Sequence, residues 1–178
     1  PFDGRFKNAL LRTLNLRLGV PVLRRCDAVV FVGDNVHDYF THLAPALRAG
    51  AVIPNGVDHE TYRPGPPPTS GGPAEFLFVG RFVEKKGIEL LRRCMDLHGI
   101  RWTFVGDGPL SPSRWPTTPA PVRVLSGLRG AELVPLYQQA HLLVLPSVGE
   151  GFPLVVQEAL ACGTPVLISD EVEASFRM

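Results

Sequence analysis

Cysteine is scarce in this chain of 178 residues. Cys26, Cys94 and Cys162 form no CxxC pair and are odd in number, so reduced, buried thiols are expected, as in a cytosolic protein. An excess of one charge sign is also missing. Lys and Arg number 18 against 17 Asp and Glu, and the net charge of +1 gives no field that would hold nucleic acid. No apolar run approaches the roughly 18 residues of a membrane span. The signatures GxxxxGK[ST], GxSxG, HExxH and DxD are absent, which disfavours a P-loop, a serine hydrolase and the common metal sites. Gly106-Asp107-Gly108-Pro109-Leu110-Ser111 lacks the third glycine of the dinucleotide fingerprint. The histidines fall at 37, 42, 59, 98 and 141; His37 and His42 are five apart and share no helix face. They are expected to be solvated or structural, and no tightly held metal is expected.

What is present is an apolar content of 45%, enough for a core, arranged in alternation. Phe6, Leu10, Leu14 and Leu18 predict an amphipathic helix, with Arg5, Lys7, Arg12 and Arg17 on it and Arg24 and Arg25 after it. Such a helix fits peripheral contact with anionic lipid or, more ordinarily, a packed helix with a basic solvated rim. Asp27–Val32 reads as a strand, followed by a helix from Val36 to about Leu43 with Asp34 or Asn35 as its cap and Pro45 at its end. Ala51–Ile53 reads as a short strand leading into a tight turn at Pro54–Asp58. Arg63-Pro64-Gly65-Pro66-Pro67-Pro68-Thr69-Ser70-Gly71-Gly72-Pro73 suits neither helix nor strand, and a linker at 64–73 is expected to divide domains 1–63 and 74–178.

Beyond the linker, strands at Glu75–Val79, Trp102–Val105, Val122–Leu125, Leu142–Leu145 and Val166–Ile168 alternate with helices. Those helices are predicted at Gly87–Leu97, Ala131–Ala140 and from Pro153 to about Cys162. The pattern predicts an α/β fold with a parallel sheet, whose ligands bind at the carboxyl ends of the strands. The chain is organised around Ser147–Glu158: strand, glycine-bearing turn, helix. A helix start with free amides is an anion site. Glu150 lies in that turn and Glu158 about a turn and a half into the helix, so the pair reads either as general acid and base or as partners of a hydroxyl-rich, phosphorylated ligand. Lys85 and Lys86 stand where cations oppose a helix dipole, a cost that an anionic ligand would reverse. Arg81, directly after a strand and Gly80, is placed to join Lys86 with a forked pair of donors.

Ile53-Pro54-Asn55-Gly56-Val57-Asp58, Phe78–Gly87, Val105–Pro109, Leu145-Pro146-Ser147 running into Glu150-Gly151-Phe152, and Ala161–Val166 occur together and in this order. On these residues the chain resembles the retaining nucleotide-sugar glycosyltransferases of family four (glycosyl transferases group 1), whose GT-B fold has two Rossmann-like domains. The family's glutamates, separated by seven residues, fall on Glu150 and Glu158. The resemblance implies that 1–63 is the end of the acceptor domain and 74–178 most of the nucleotide-sugar domain. Arg81 and Lys86 would hold the donor diphosphate beside Gly80, and Glu158 the ribose hydroxyls. Glu150 would face the donor sugar, the Gly151, Phe152, Pro153 and Leu154 main chain would touch sugar and phosphate, and the chain around Ser126, Gly127 and Leu128 would hold the base.

The implied reaction is sugar transfer from a nucleoside-diphosphate sugar to an unidentified acceptor (glycan, lipid or small molecule) with retained configuration, needing no cofactor and no metal, in the cytoplasm or at its membrane surface. Glu171-Val172-Glu173-Ala174-Ser175 departs from the family, where glycines and then a glutamate are common. The resemblance covers the end of one domain and an incomplete second one, which implies a piece of a longer enzyme, inactive alone. The alternatives are a GT-B-like sugar-nucleotide epimerase or phosphorylase, and a sugar-nucleotide-binding module without catalysis.

Overall fold

The computed structural model describes residues 4–44, 50–69, 71–116 and 118–176, with only the backbone described for residues 4–8. The chain forms two compact units, Pro1–Pro54 with Ala174–Met178, and Asn55–Glu173.

The second unit is built on a five-stranded parallel sheet. Its strands are β1 (Ala74–Val79), β2 (Ile100–Val105), β3 (Val122–Leu125), β4 (Leu142–Leu145) and β5 (Val166–Ile168), in the spatial order β3-β2-β1-β4-β5. The run Leu77-Phe78-Val79 is buried at successive positions, so β1 is covered on both faces, as a parallel strand inside an α/β layer requires. Register places Phe78 beside Phe104 and Leu77 beside Leu143. Phe78, Phe82, Phe104 and Trp102 pack ring against ring at centroid separations of 5.6 to 6.5 Å. From β1 the chain steps outward to β2 and β3, then returns across β1 to β4 and β5. Crossovers of one hand therefore place the helix following β1 on one face and those following β3 and β4 on the other.

Each strand predicted in this unit forms, while its helices are shorter than the periodicity predicts. The helix expected at Gly87–Leu97 is a 3₁₀ turn, Glu84–Lys86, followed by Ile88–Arg93. The one expected at Ala131–Ala140 is a 3₁₀ turn, Gly130–Glu132, followed by Val134–Gln139. Pro153 is the cap of Leu154–Ala161 rather than its first helical residue, with an extended ψ of 115°.

The first unit holds α1 (Gly4–Leu14), a π-helical turn (Asn15–Gly19), α2 (Val20–Leu23) and α3 (Asp34–Leu43). Leu10, Leu11, Leu14 and Leu18 are exposed. Among the described residues no helix is long and apolar enough to cross a membrane. The expected strand at Asp27–Val32 does not form. Among the described residues only Phe31 finds a partner, Val52, through bonds from Phe31 N to Ala51 O (3.0 Å) and from Ile53 N to Phe31 O (2.8 Å), and the ladder stops there with Val30 exposed. A strand exists through its pairing, and an apolar run alone does not supply it. Asp34 and Asn35 lie inside the first turn of α3, and extended Gly33 occupies the cap position. Pro45, expected to end that helix, and Ser70 of the linker lie outside the described residues, as do the side chains of Arg5, Phe6 and Lys7.

The turn expected at Pro54–Asp58 sits further on. The Asp58 carboxylate accepts from the amides of Glu60 (2.9 Å) and Thr61 (3.4 Å), and Asp58 O accepts from Tyr62 N (2.8 Å). The compact units divide at Pro54, upstream of the Pro/Gly-rich stretch. Residues 55–63 run with the second unit because Tyr62 is buried against Tyr137, and Gln138 Nε2 donates to Arg63 O (2.8 Å). The cysteines are free, but only Cys162 is buried; Cys26 is exposed on the surface.

Candidate active site

The strand order reverses between β1 and β4, and in an open parallel sheet the crevice at such a point, beyond the carboxyl ends of the strands, receives the ligand. Two loops meet there. The loop after β1 carries Gly80, Arg81 and Lys86 into α4 (Ile88–Arg93); the loop after β4 carries Ser147 to Pro153 into α6 (Leu154–Ala161). Val148 N donates to Lys85 O (2.8 Å), and Gly87, at φ +73°, lies so close to Pro146 that a Cβ would stand 2.5 Å from Pro146 O. Only glycine fits that approach.

Across this seam Lys86 Nζ lies 2.5 Å from Glu150 Oε1, with side-chain exposures of 16% and 13%. At that burial the attraction is far less screened than in a surface pair, and removing either partner strands the other charge. The Lys86 side chain also runs back over Gly80, its Cε 3.9 Å from where a Cβ of residue 80 would sit. Arg81 follows directly, exposed, and among the described residues its guanidinium makes no hydrogen bond or ion pair. Gly151, Phe152, Pro153 and Leu154 lead into α6, where Val156 N donates to Pro153 O (3.2 Å) and the amides before it have no acceptor within the helix. The arrangement therefore gathers cations and helix amides on one side and a carboxylate within reach of them.

The structure thus brings Gly80, Lys86 and Glu150 together, with Arg81 and Gly151–Leu154 adjoining in the same loops. Ser126 and Leu128 lie at the same end of the sheet but in the loop after β3 (Val122–Leu125), two strands from β1, with Ser126 exposed. Glu158 turns to other partners. The Tyr137 hydroxyl, on α5 (Val134–Gln139), donates to Glu158 Oε2 (2.7 Å). Burial, together with the charge of Glu158 and a hydrogen bond to it, pushes the Tyr62 phenol up to about 12. Burial and the bond to Glu158 also push Tyr137 well above its ordinary value. Both tyrosines therefore remain neutral donors near pH 7.

Sequence reasoning missed these two tyrosines. The only available signal is general: a buried tyrosine hydroxyl needs an acceptor. It missed a second bracing as well. Ser169 Oγ donates to Ser147 O (2.6 Å), and Gly149 N donates to Glu171 Oε1 (2.6 Å), so the loop after β5 (Val166–Ile168) and α7 (Asp170–Glu173) hold the Glu150 turn from behind. Glu171, where the chain departs from the family pattern, is part of that brace. The histidines serve locally: His141 Nδ1 accepts from Glu75 N (3.1 Å), and His42 Nδ1 pairs with Asp38 O (2.7 Å). Among the described residues no group of three or more His, Cys, Asp or Glu is placed to hold a metal.

A doubly wound parallel sheet with cationic and amide groups converging at its switch point defines an α/β domain of the GT-B type. Residues 73–176 match the family model of the glycosyl transferases group 1, and the chain belongs to that family. It is 32% identical over 160 residues to a glycogen synthase of Mycobacterium tuberculosis, covering 84% of this chain and 39% of that relative. The fold is shared with sucrose-phosphate synthase from Thermosynechococcus elongatus, at a TM-score of 0.70 and 23% identity, over 89% of this chain and 44% of the other. It is shared equally with Anabaena HepE solved in complex with UDP-glucose, at a TM-score of 0.70 and 20% identity, over 89% of this chain and 49% of the other. The chain thus spans less than half the length of each of these proteins.

Proposed function

We propose that this chain supplies the donor half of a hexosyltransferase that moves a sugar from a nucleoside-diphosphate sugar to an acceptor with retained anomeric configuration, in family four of the glycosyltransferases. The observation that carries the proposal is the Lys86–Glu150 pair at the switch point, with Arg81 and the α6 amides around it. Arg81 and Lys86 take the diphosphate and stabilise the charge of the leaving group, while the Gly151–Leu154 main chain approaches from the other side. Glu150 faces the donor sugar. Glu158 holds the ribose, and the chain around Ser126 and Leu128 holds the base. With two cations and a helix terminus supplying positive charge, the reaction as proposed uses no metal and no further cofactor. Residues 74–178 form the nucleotide-sugar domain, and 1–63 belong to the acceptor domain. A GT-B neighbour solved with UDP-glucose supports a nucleotide sugar as the donor class.

Calorimetry with UDP, ADP and GDP and their glucose conjugates tests the donor site. One base is expected to bind, and Arg81→Ala and Lys86→Ala are each expected to weaken binding by about tenfold or more, the scale of a lost charge-assisted bond. Unchanged affinity in both variants removes the diphosphate assignment. In turnover assays of the full-length enzyme, release of nucleoside diphosphate only when an acceptor is present supports transfer, and the anomeric configuration of the product reports retention. Interconversion of the donor without an acceptor identifies an epimerase instead.

A further inference from the structure

We propose that Tyr137, with Tyr62 beside it, is a positioning residue that turns the Glu158 carboxylate into a selective receptor for the ribose diol of the donor; this rests on the donor-site reading above. Glu158 is the fifth residue of α6, so it stands about 6 Å along the axis from the helix start, where the phosphates are proposed to sit. A carboxylate at that remove repels a phosphate and accepts from hydroxyls, which suits the sugar end of a nucleotide. Left to itself, a glutamate side chain is free to rotate and fixes no geometry. Here the Tyr137 hydroxyl holds Oε2 at 2.7 Å, and Tyr62 lies beside Tyr137.

Tyr137 is itself fixed. Its ring is fully buried, it packs edge to face against Tyr62 at 6.2 Å, and its carbonyl accepts from the buried Thr164 hydroxyl at 2.6 Å. A carboxylate offers about four acceptor positions, so the Tyr137 hydroxyl leaves about three, enough for the two donors of a ribose diol. Tyr137 stays a neutral donor at neutral pH and holds Glu158 Oε2, so the remaining acceptor positions face hydroxyl donors in a fixed orientation. Tyr137 itself need not touch the ligand.

The test compares UDP, ADP and GDP with their 2′-deoxy forms by calorimetry, and adds inorganic pyrophosphate as a probe of the phosphate subsite. The wild-type chain is expected to favour the ribose form of its nucleotide by about tenfold, as for a hydrogen bond to a charged group. Tyr137→Phe keeps the ring and is expected to reduce that preference to about twofold or threefold while leaving pyrophosphate affinity unchanged. Tyr62→Phe is expected to reduce it less, and it supplies the same readout should Tyr137→Phe not fold. Equal loss of affinity for ribose and deoxyribose forms, or an undiminished preference in both variants, overturns the positioning role. Two other outcomes lie in the wild type alone: if no nucleoside diphosphate binds, the donor-site reading fails, and if one binds without regard to the 2′-hydroxyl, Glu158 is not the ribose anchor. Either result removes the inference with its basis.

Discussion

At the scale of single residues, the Lys86–Glu150 pair is the most informative contact in the site. Lys86 is committed to a carboxylate at 2.5 Å, so the proposed diphosphate would exchange with Glu150 to reach it. Removing that competition while keeping the shape of the side chain is expected to tighten ligand binding. Glu150→Gln should raise nucleoside diphosphate affinity by about threefold to tenfold, measured by calorimetry, and abolish the proposed transfer in the full-length enzyme, measured by turnover. Reduced affinity would mean that Glu150 itself holds the nucleotide. The residue types were legible in the sequence: a lysine and an arginine after one strand, two glutamates after another. The pairing was not, because nothing local distinguishes which carboxylate will face Lys86. The sequence places Glu150 in the turn and Glu158 in the helix, without their partners. One meets a lysine and the other a tyrosine hydroxyl, and that difference separates their proposed roles.

At the scale of elements, the site depends on loops lying flush against one another. Gly106, after β2, sits at φ +144° with its α-carbon against the loop after β1; a Cβ there would stand 2.0 Å from Gly80 O. Phe82 N donates to Asp107 O (2.6 Å), and Leu110 N donates to Phe82 O (3.0 Å), so the contact is backbone on backbone and has little room to yield. Gly106→Ala is expected to lower the unfolding free energy by roughly 2–3 kcal/mol in urea titration and to weaken nucleotide binding by displacing Gly80 and Arg81. A change below about 0.5 kcal/mol would show that the two loops are free to separate. The strands of the second unit follow from their apolar runs. Their helices are shorter than predicted because each opens on a 3₁₀ turn, one closed by left-handed Gly87 and the other begun by Gly130, also at positive φ, and hydrophobic spacing does not distinguish a 3₁₀ turn from the first turn of an α-helix. Asp27–Val32 failed for the opposite reason: its composition suits a strand, but its ladder ends at Phe31.

At the scale of the molecule, the large, fully buried side chains, Trp102, Tyr137, Phe78, Phe82 and Phe104 among them, lie in Asn55–Glu173. The core of the other unit centres on Val20 and Ala44, with Leu23, Phe40 and Leu43 against them. Hydrogen exchange read by mass spectrometry is therefore expected to protect peptides of β1, β2 and β4 at least about a hundredfold more than peptides from α1 to α3. Comparable protection in both units would contradict so unequal a core. The sequence by itself determined the alternation of strands and helices, the glycine-bearing loops after the strands and the chemical types gathered in them, because hydrophobic period and turn chemistry are local properties of a chain. Tertiary structure alone decided that β1 and β4 would be neighbours, that Lys86 would face Glu150, that Tyr137 would hold Glu158 and that Glu171 would brace the turn at Gly149. Each of those contacts joins residues far apart in sequence, and it exists only once the sheet has fixed where their backbones stand.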